Sequence, residues 1–284
     1  MTLRKTLRSG TLIVLVAASA LLRFDHSPSH VPPRIALTRQ HVPIVVRERR
    51  NSVTTSTNWS GYAVTGAQNS VSNVKGSWKV PTVFGCSSAG QPDQYSSFWI
   101  GIDGYNSNTV EQIGTESDCI GGVPSYYVWY EFYPHWGYLV DLGSPIYPGD
   151  TISAEVKVDN AGLFTLTLKD VTTNKQFTTS LKMKNARRSS AEWIAEAPWS
   201  GGVLPLANFG TATFGSQYTG VANTSSATVG GNTRSIGGFG SPTAAGSPVQ
   251  KIAMVTSAGA TKAQPSNLSN DGASFSIAWV SSGP

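Results

Sequence analysis

Three observations predict an all-β, antiparallel fold for this 284-residue sequence. Where a hydrophobic pattern is strong its period is two, and nothing from Trp59 onward repeats at helical spacing. Gly, Ser, Asn and Pro cut the apolar runs into short lengths, which is the habit of a β-sandwich or a closed barrel. The stretch 58–284 fits one such domain, since single β domains commonly reach about 200–250 residues.

The elements preceding that domain read differently. Arg4, Lys5 and Arg8 are followed by an apolar run from Thr11 to Ala18 and by Ala18-Ser19-Ala20. This is the layout of a secretory signal over residues 1–20. The run is shorter than the roughly 20 residues of a spanning helix; an uncleaved anchor is the alternative, and no stop-transfer stretch follows. Residues 21–57 lack periodicity, are rich in Pro, Arg and His, and read as a prosegment and linker, with the mature chain starting near Asn51 to Asn58. A secreted, extracellular protein is expected, without stable membrane association.

Charge supports that division. Residues 1–50 hold nine of the 21 Lys and Arg but only two of the 16 acids, Asp25 and Glu48. The remainder carries 12 basic and 14 acidic residues, a net of −2. The overall charge of +5 is therefore no argument for a nucleic-acid partner. The basic segment is instead expected to cover an acidic cleft near neutral pH and to leave as carboxylates protonate.

Within the domain, Ile152, Ala154, Val156 and Val158 alternate with polar residues, as do Phe164, Leu166 and Leu168, and Asp159-Asn-Ala-Gly162 between them reads as a hairpin turn. Phe275, Ile277 and Trp279 repeat the pattern near the end. The Gly/Ser/Thr-rich stretch 210–246 reads as long loops and edge strands. In Ser97–Gly104, Phe98, Ile100 and Ile102 share one face and Trp99, Gly101 and Asp103 the other. In Val128–Pro134, Val128, Tyr130 and Phe132 oppose Trp129, Glu131 and Tyr133. Each strand thus has an apolar face and a second face of aromatics with one acid, which suits a groove for an extended polymer. Plain cover of an exposed sheet face is the other reading of the same pattern.

The chemistry is bounded by absences. Cys86 and Cys119 are the two cysteines, and in a secreted chain they read as one disulfide, buried free thiols being the alternative. Beyond residue 50 the only histidine is His135. A Ser-His-Asp or Cys-His system would rest on it alone. No histidine zinc site, calcium loop, Walker loop or dinucleotide fingerprint is present, so no metal and no cofactor is expected. Carboxylates and amides remain. If Ala191–Glu196 is a strand, Glu192, Ile194 and Glu196 share a face, and a carboxyl placed beside apolar groups has its pKa raised by desolvation.

These pieces together resemble a known family, the glutamic peptidases (eqolisins), which are secreted β-sandwich endopeptidases active in acid. The matching motifs are NWSGY at Asn58–Tyr62, FWIGIDG at Phe98–Gly104, VEQIG at Val110–Gly114, WYEFYP at Trp129–Pro134, AEWIAE at Ala191–Glu196 and LPLANFG at Leu204–Gly210, in the family's order. The resemblance implies a sandwich of two packed, curved, concanavalin-like sheets, with Gln112 and Glu192 as the catalytic pair. It also implies Trp59, Trp99, Glu131 and Tyr133 lining the cleft, Asp103 beside it, polypeptide substrates, and a monomer. One departure is that Glu116 and Asp118 run directly into Cys119 and a short glycine loop, where family members often carry more acids; this bears on subsite preference.

The chief rival is a sugar-binding or glycoside-hydrolysing sandwich, since aromatic platforms and acids also suit sugars. A retaining glycosidase needs two carboxyls about 5 Å apart, whereas Glu192 and Glu196 on one strand are separated by about 13 Å at 3.3 Å per residue.

Overall fold

Alternating side chains need two apolar faces to bury, and the chain supplies them by folding a continuous sheet back on itself. The computed structural model describes residues 35–50, 53–86, 90 and 92–283. The expected signal segment, and residues 21–34 of the expected prosegment, lie outside them. The described residues, from Ile35 onward, form one compact unit.

Its strands begin with Val46–Arg50 (β1), Val53–Ser56 (β2), Trp59–Thr65 (β3), Val71–Lys79 (β4), Ser97–Ile102 (β5) and Val110–Ile120 (β6). Val123–Tyr133 (β7), Tyr138–Val140 (β8), Thr151–Val158 (β9), Leu163–Asp170 (β10), Lys175–Lys182 (β11) and Ser190–Glu196 (β12) follow. The last six are Thr211–Phe214 (β13), Ser226–Val229 (β14), Asn232–Ser235 (β15), Val249–Val255 (β16), Thr261–Pro265 (β17) and Phe275–Trp279 (β18). One turn of α-helix, Ser216–Thr219, interrupts them.

The first layer runs β8-β7-β6-β5-β12-β3-β16, antiparallel throughout. The second runs β11-β10-β9-β4, with β14 beyond β4. β17 pairs with β16 of the first layer and with β18, and β18 pairs with β13, which bridges to β4 at Phe214 and Trp78. The layers are therefore joined at one side by hydrogen bonds. This is the antiparallel β-sandwich that the sequence predicts.

The inner faces carry the core. Tyr62, Ile100, Ile113, Tyr130 and Trp193 of the first layer share one core with Val74, Ile152, Val156 and Leu166 of the second and with Phe214 and Phe275 of the joining strands β13 and β18. The β9–β10 hairpin forms at the predicted place, because Asp159 Oδ1 accepts the Ala161 and Leu163 N–H groups and Gly162 takes a positive φ of 79°. Cys86 and Cys119 are joined in a disulfide that ties the 81–86 loop to the end of β6.

Residues 53–56, expected as linker, form a strand: β2 pairs with β1 and runs parallel to β16. Thr54 and Ser56 turn inward and are buried. A Val-Thr-Thr-Ser run has the right alternation but no hydrophobic partner at the buried positions, so its period is invisible to hydropathy.

Candidate functional site

The outer face of the first layer carries the site, and its register explains the geometry. Directly opposed residues on neighbouring strands project to the same side. Gln112 on β6 stands opposite Glu131 on β7 and Gly101 on β5. Gly101 stands opposite Glu192 on β12, and Glu192 opposite Ala63 on β3. The row is thus Glu131, Gln112, Gly101, Glu192, Ala63. The two predicted catalytic residues flank a glycine, two strand spacings or roughly 10 Å apart at the backbone, and their side chains can lean towards each other over a position with no side chain.

Gly101 is needed for that. A Cβ there would lie 3.0 Å from Trp99 Cζ3, 3.1 Å from the Glu111 carbonyl oxygen and 3.2 Å from Gln112 Cβ. The next row alternates the same way, with Gly114 of β6 opposed to Trp129 of β7 and Trp99 of β5. Trp59, Trp99 and Trp129 form the apolar floor, Trp59 meeting Trp99 edge to face at 4.9 Å.

All five residues expected to line or flank the cleft are at this face or its rim, in differing roles. Trp59 and Trp99 are buried, and Trp99 Nε1 donates to Glu196 Oε2 at 2.8 Å. Tyr133 is half-buried at the edge of the same apolar cluster. Glu131 is buried and orients Gln112: its Oε2 accepts Gln112 Nε2 at 3.2 Å. Asp103 turns away from the cleft floor. With φ 74° its carboxylate accepts the backbone N–H groups of Arg188 (2.6 Å) and Ser189 (2.9 Å), and its own N–H donates to the Ser190 carbonyl (2.9 Å). It therefore fixes the start of β12 and so the placement of Glu192. His135, on the turn after β7, is exposed.

The segment 35–45 lies across this face. Ala36 bridges to Tyr138, Gln40 exchanges backbone hydrogen bonds with Trp199 at 3.0 and 2.9 Å, and Ile44 N–H donates to the Gly104 carbonyl at 3.1 Å. Leu37 and Ile44 pack into the tryptophan cluster. His41 stacks on Trp129 with ring centroids 3.5 Å apart and planes within 4°, and its Nε2 lies 2.5 Å from Glu116 Oε1. The His41 N–H donates to Glu131 Oε2 (2.9 Å), and the His41 carbonyl accepts Gln112 Nε2 (2.6 Å). Both partners of that amide nitrogen are acceptors, which sets the orientation of the Gln112 side chain. Arg39 pairs with Asp118 and Tyr127 and stacks over the Tyr95 ring.

Burial sets the electrostatics. Desolvation raises Glu192 well above the usual carboxyl range, and Asp103 and Glu111 push the same way; the Ser190 hydroxyl and the Tyr105 backbone oppose it. Both Glu192 oxygens, and Gln112 Oε1, lack a hydrogen-bond partner among the described residues. Desolvation likewise raises Glu131, against hydrogen bonds from His41 and Gln112, and raises Glu196 well above normal, with Glu131 adding to it. His41 is lowered, chiefly by burial.

Sequence reasoning put Trp129 on the groove face and gave Glu116 and Asp118 a bearing on subsite preference, but assigned no cleft role to Tyr127, Glu196, Arg39 and His41. Register places Glu116 and Asp118 there, since they share the even-numbered face of β6 with Gln112. Arg39 and His41 gave no signal, because an aperiodic segment does not reveal what it packs against.

Fold and site together define a β-sandwich whose outer face holds an extended peptide over a glutamine and a set of buried carboxyls. The Peptidase A4 family model matches residues 57–238, and the chain belongs to that family, the glutamic peptidases or eqolisins. Scytalido-glutamic peptidase, solved with a transition state analog inhibitor, is 23% identical, with a TM-score of 0.62 over 79% of this chain and 98% of that one. SCP-B, an eqolisin solved with the tripeptide Ala-Ile-His, is 22% identical, with a TM-score of 0.58 and the same coverage. Aspergilloglutamic peptidase from Aspergillus niger is 26% identical, with a TM-score of 0.52 over 66% of this chain and 99% of that one. No curated protein sequence matches. Among the described residues no helix is long and apolar enough to cross a membrane.

Proposed function

We propose that this peptidase is a secreted, acid-acting endopeptidase in which Glu192 is general base and then general acid, and Gln112 holds the oxyanion. The observation that carries the reading is the Gln112 side chain, which already donates to a peptide carbonyl in the row it shares with Glu192.

Hydrolysis needs a base for the water, a donor for the developing oxyanion and an acid for the leaving amine. A water donating to Gln112 Oε1 and Glu192 would use acceptors that are otherwise unpartnered. Glu192 takes its proton as the oxygen adds to the carbonyl carbon. The substrate carbonyl oxygen becomes the oxyanion, held by a hydrogen bond from Gln112 Nε2, and Glu192 returns the proton to the amine as the C–N bond breaks. No covalent enzyme intermediate and no metal is required. Gln112 keeps its donor at every pH; burial favours the neutral Glu192 carboxyl in the covered cleft, and admitting water there relieves the desolvation, so that a carboxylate base works where a histidine would be protonated and activity belongs in acid. Residues 1–20 act as the secretion signal, residues N-terminal to the sandwich as a prosegment, and the processed chain works as a monomer.

Hydrolysis of a denatured protein is measured from about pH 2 to 7, with wild type, Glu192→Gln and an aspartic-peptidase inhibitor in parallel. Acid activity that ignores the inhibitor and disappears in the variant supports the reading; inhibition, or full activity in the variant, refutes it.

A further inference from the structure

We propose that the chain carries a second binding site, on the outer face of the second layer, which takes an acidic polysaccharide between Lys75 and Lys169. This stands apart from the Gln112/Glu192 reading, which concerns the outer face of the first layer.

The outer face of the second layer is polar and weighted towards positive charge. The even-numbered residues of β9 and β10 fill the core, so the odd-numbered ones turn outward. Register carries the same side to Asn73, Lys75 and Ser77 on β4 and to Gln176, Thr178 and Ser180 on β11. At the outward positions of residues 73–77, 153–157, 165–169 and 176–180 the charged groups are Lys75, Lys157, Lys169 and Glu155, and the rest are Ser, Thr, Asn and Gln. Thr165 bonds Ser180 at 3.0 Å and Thr167 bonds Thr178 at 3.1 Å, so hydroxyls are held in rows across the strands.

A cavity of 320 Å³ opens on this face. That is at the lower end of the roughly 300–1,000 Å³ of small-ligand sites. Ser153 and Glu155 of β9 run along its middle, with Lys75 of β4 to one side and Thr167 and Lys169 of β10 to the other. The loop 221–224 completes the wall. It is tied down before by the Ser77 and Thr219 hydroxyls, 2.7 Å apart, and after by the pairing of Ser226 with Lys75.

The groups around the cavity are left open to a ligand. Lys169 has no hydrogen-bond or ion-pair partner among the described residues. Lys75 has only a long pairing, 3.5 Å to Glu155 Oε1, and that oxygen already accepts Asn73 Nδ2 at 2.6 Å. Lys75 therefore keeps donors to spare. Thr224 is 5% exposed, yet its Oγ1 lacks a hydrogen-bond partner among the described residues. On either side of it Asn223 and Ser225 take positive φ of 55° and 49°. Residues other than glycine hold that conformation only where their surroundings fix it, so the loop sets Thr224 at the cavity wall.

Two ammonium groups among hydroxyls and amides fit an anionic group borne on a polymer rich in hydroxyls. Ser, Thr, Asn and Gln side chains both give and accept hydrogen bonds, as sugar hydroxyls do. Among the described residues no aromatic ring lines the cavity, which disfavours stacked nucleobases. The outward strand positions carry no apolar side chain to enter a bilayer. A polymer bound here leaves the Gln112 face open, so the peptidase can be held on a matrix while it cuts.

The test is binding of the full chain to polygalacturonate and to dextran sulfate by isothermal titration at low salt. Neutral dextran, single-stranded DNA and phosphatidylglycerol vesicles are run in parallel. The expected result is binding to at least one acidic polymer, weakened by salt, and none to neutral dextran. Replacing Lys75 and Lys169 together by Gln should weaken it at least about 10-fold, and Thr224→Val, which removes no charge, about 5-fold. Replacing Lys184 and Lys251 by Gln removes the same charge elsewhere and should change it little. The basic residues before residue 51 are common to all variants and cancel in that comparison. Equal weakening by the two lysine pairs reduces the effect to net charge and overturns the site. So does tighter binding of DNA or vesicles, no binding of either acidic polymer, or competition between the polymer and a peptide substrate. A chain without peptidase activity that still binds through Lys75 and Lys169 keeps this site and removes only the Gln112/Glu192 reading.

Discussion

Gly101→Ala is the most informative single change at this face, because it should separate activity from stability. The added Cβ would meet Trp99 Cζ3 at 3.0 Å, the Glu111 carbonyl at 3.1 Å and Gln112 Cβ at 3.2 Å. Carbon pairs are comfortable at about 3.5–4.0 Å, so the neighbours must yield by about 0.5 Å. The Glu111 carbonyl belongs to the strand ladder and moves least, so the shift falls on Gln112 and Trp99. Overpacking costs about 1–3 kcal/mol. Replacing a strand glycine offsets about 0.5–1 kcal/mol of that through the unfolded chain. The net loss of stability is then about 0–2.5 kcal/mol. A misplacement of about 1 Å at a catalytic group costs about 100-fold, so half of it costs about 10-fold in kcat. The assay is steady-state kinetics on a quenched peptide beside urea unfolding of the same preparation. A folded Gly101→Ala enzyme with unchanged kcat would refute the claim that Gln112 and Glu192 work across the space this glycine leaves.

Two further predictions concern stability. Glu111 is buried opposite Ile102 and Phe132 of the core, and burial, reinforced by Asp103 and opposed by the Thr109 hydroxyl and its own backbone, raises it well above normal. The folded chain then binds more protons than the unfolded one between the unfolded value of about 4.3 and the raised folded value. The corresponding stability is fully present below the unfolded value and is lost as pH rises through the folded one; Glu111→Gln should flatten that loss in melts across pH and be the more stable protein at pH 7. Replacing both Cys86 and Cys119 by Ser, which opens a loop with a sequence separation of 33, should cost roughly 3.5 kcal/mol in urea unfolding.

The sandwich was legible because half-buried strands announce themselves at period two. The face assignments hold along β5 and β7, the core taking Phe98, Ile100, Ile102, Val128, Tyr130 and Phe132, while Asp103, expected beside Trp99 and Gly101, lies past the end of β5 and turns back to the start of β12. Gln112 and Glu192 were named by resemblance; periodicity gave Glu192 a face with Ile194 and Glu196, left Gln112 without one, and did not say that the two share a face. That fact lives in the pairing of β6, β5 and β12, which is non-local. β2 escaped notice because Thr54 and Ser56 are polar, although both are buried. The occupant of the cleft escaped for a related reason. Arg39 and His41 read as charge in a linker, since their partners Asp118, Glu116 and Trp129 are about 75–90 residues further along and meet them only in the folded chain.

The central claim is that Gln112 and Glu192 act as one unit on one carbonyl. Its most direct test is kcat for Gln112→Ala, Glu192→Gln and the double variant, each shown to be folded, at the acid optimum of the wild type. Each single change should cost at least about 100-fold, and the double about as much as the worse single, since groups serving one step are not additive. Either single variant turning over at the wild-type rate, or a double variant whose loss is the full product of the two, would contradict it.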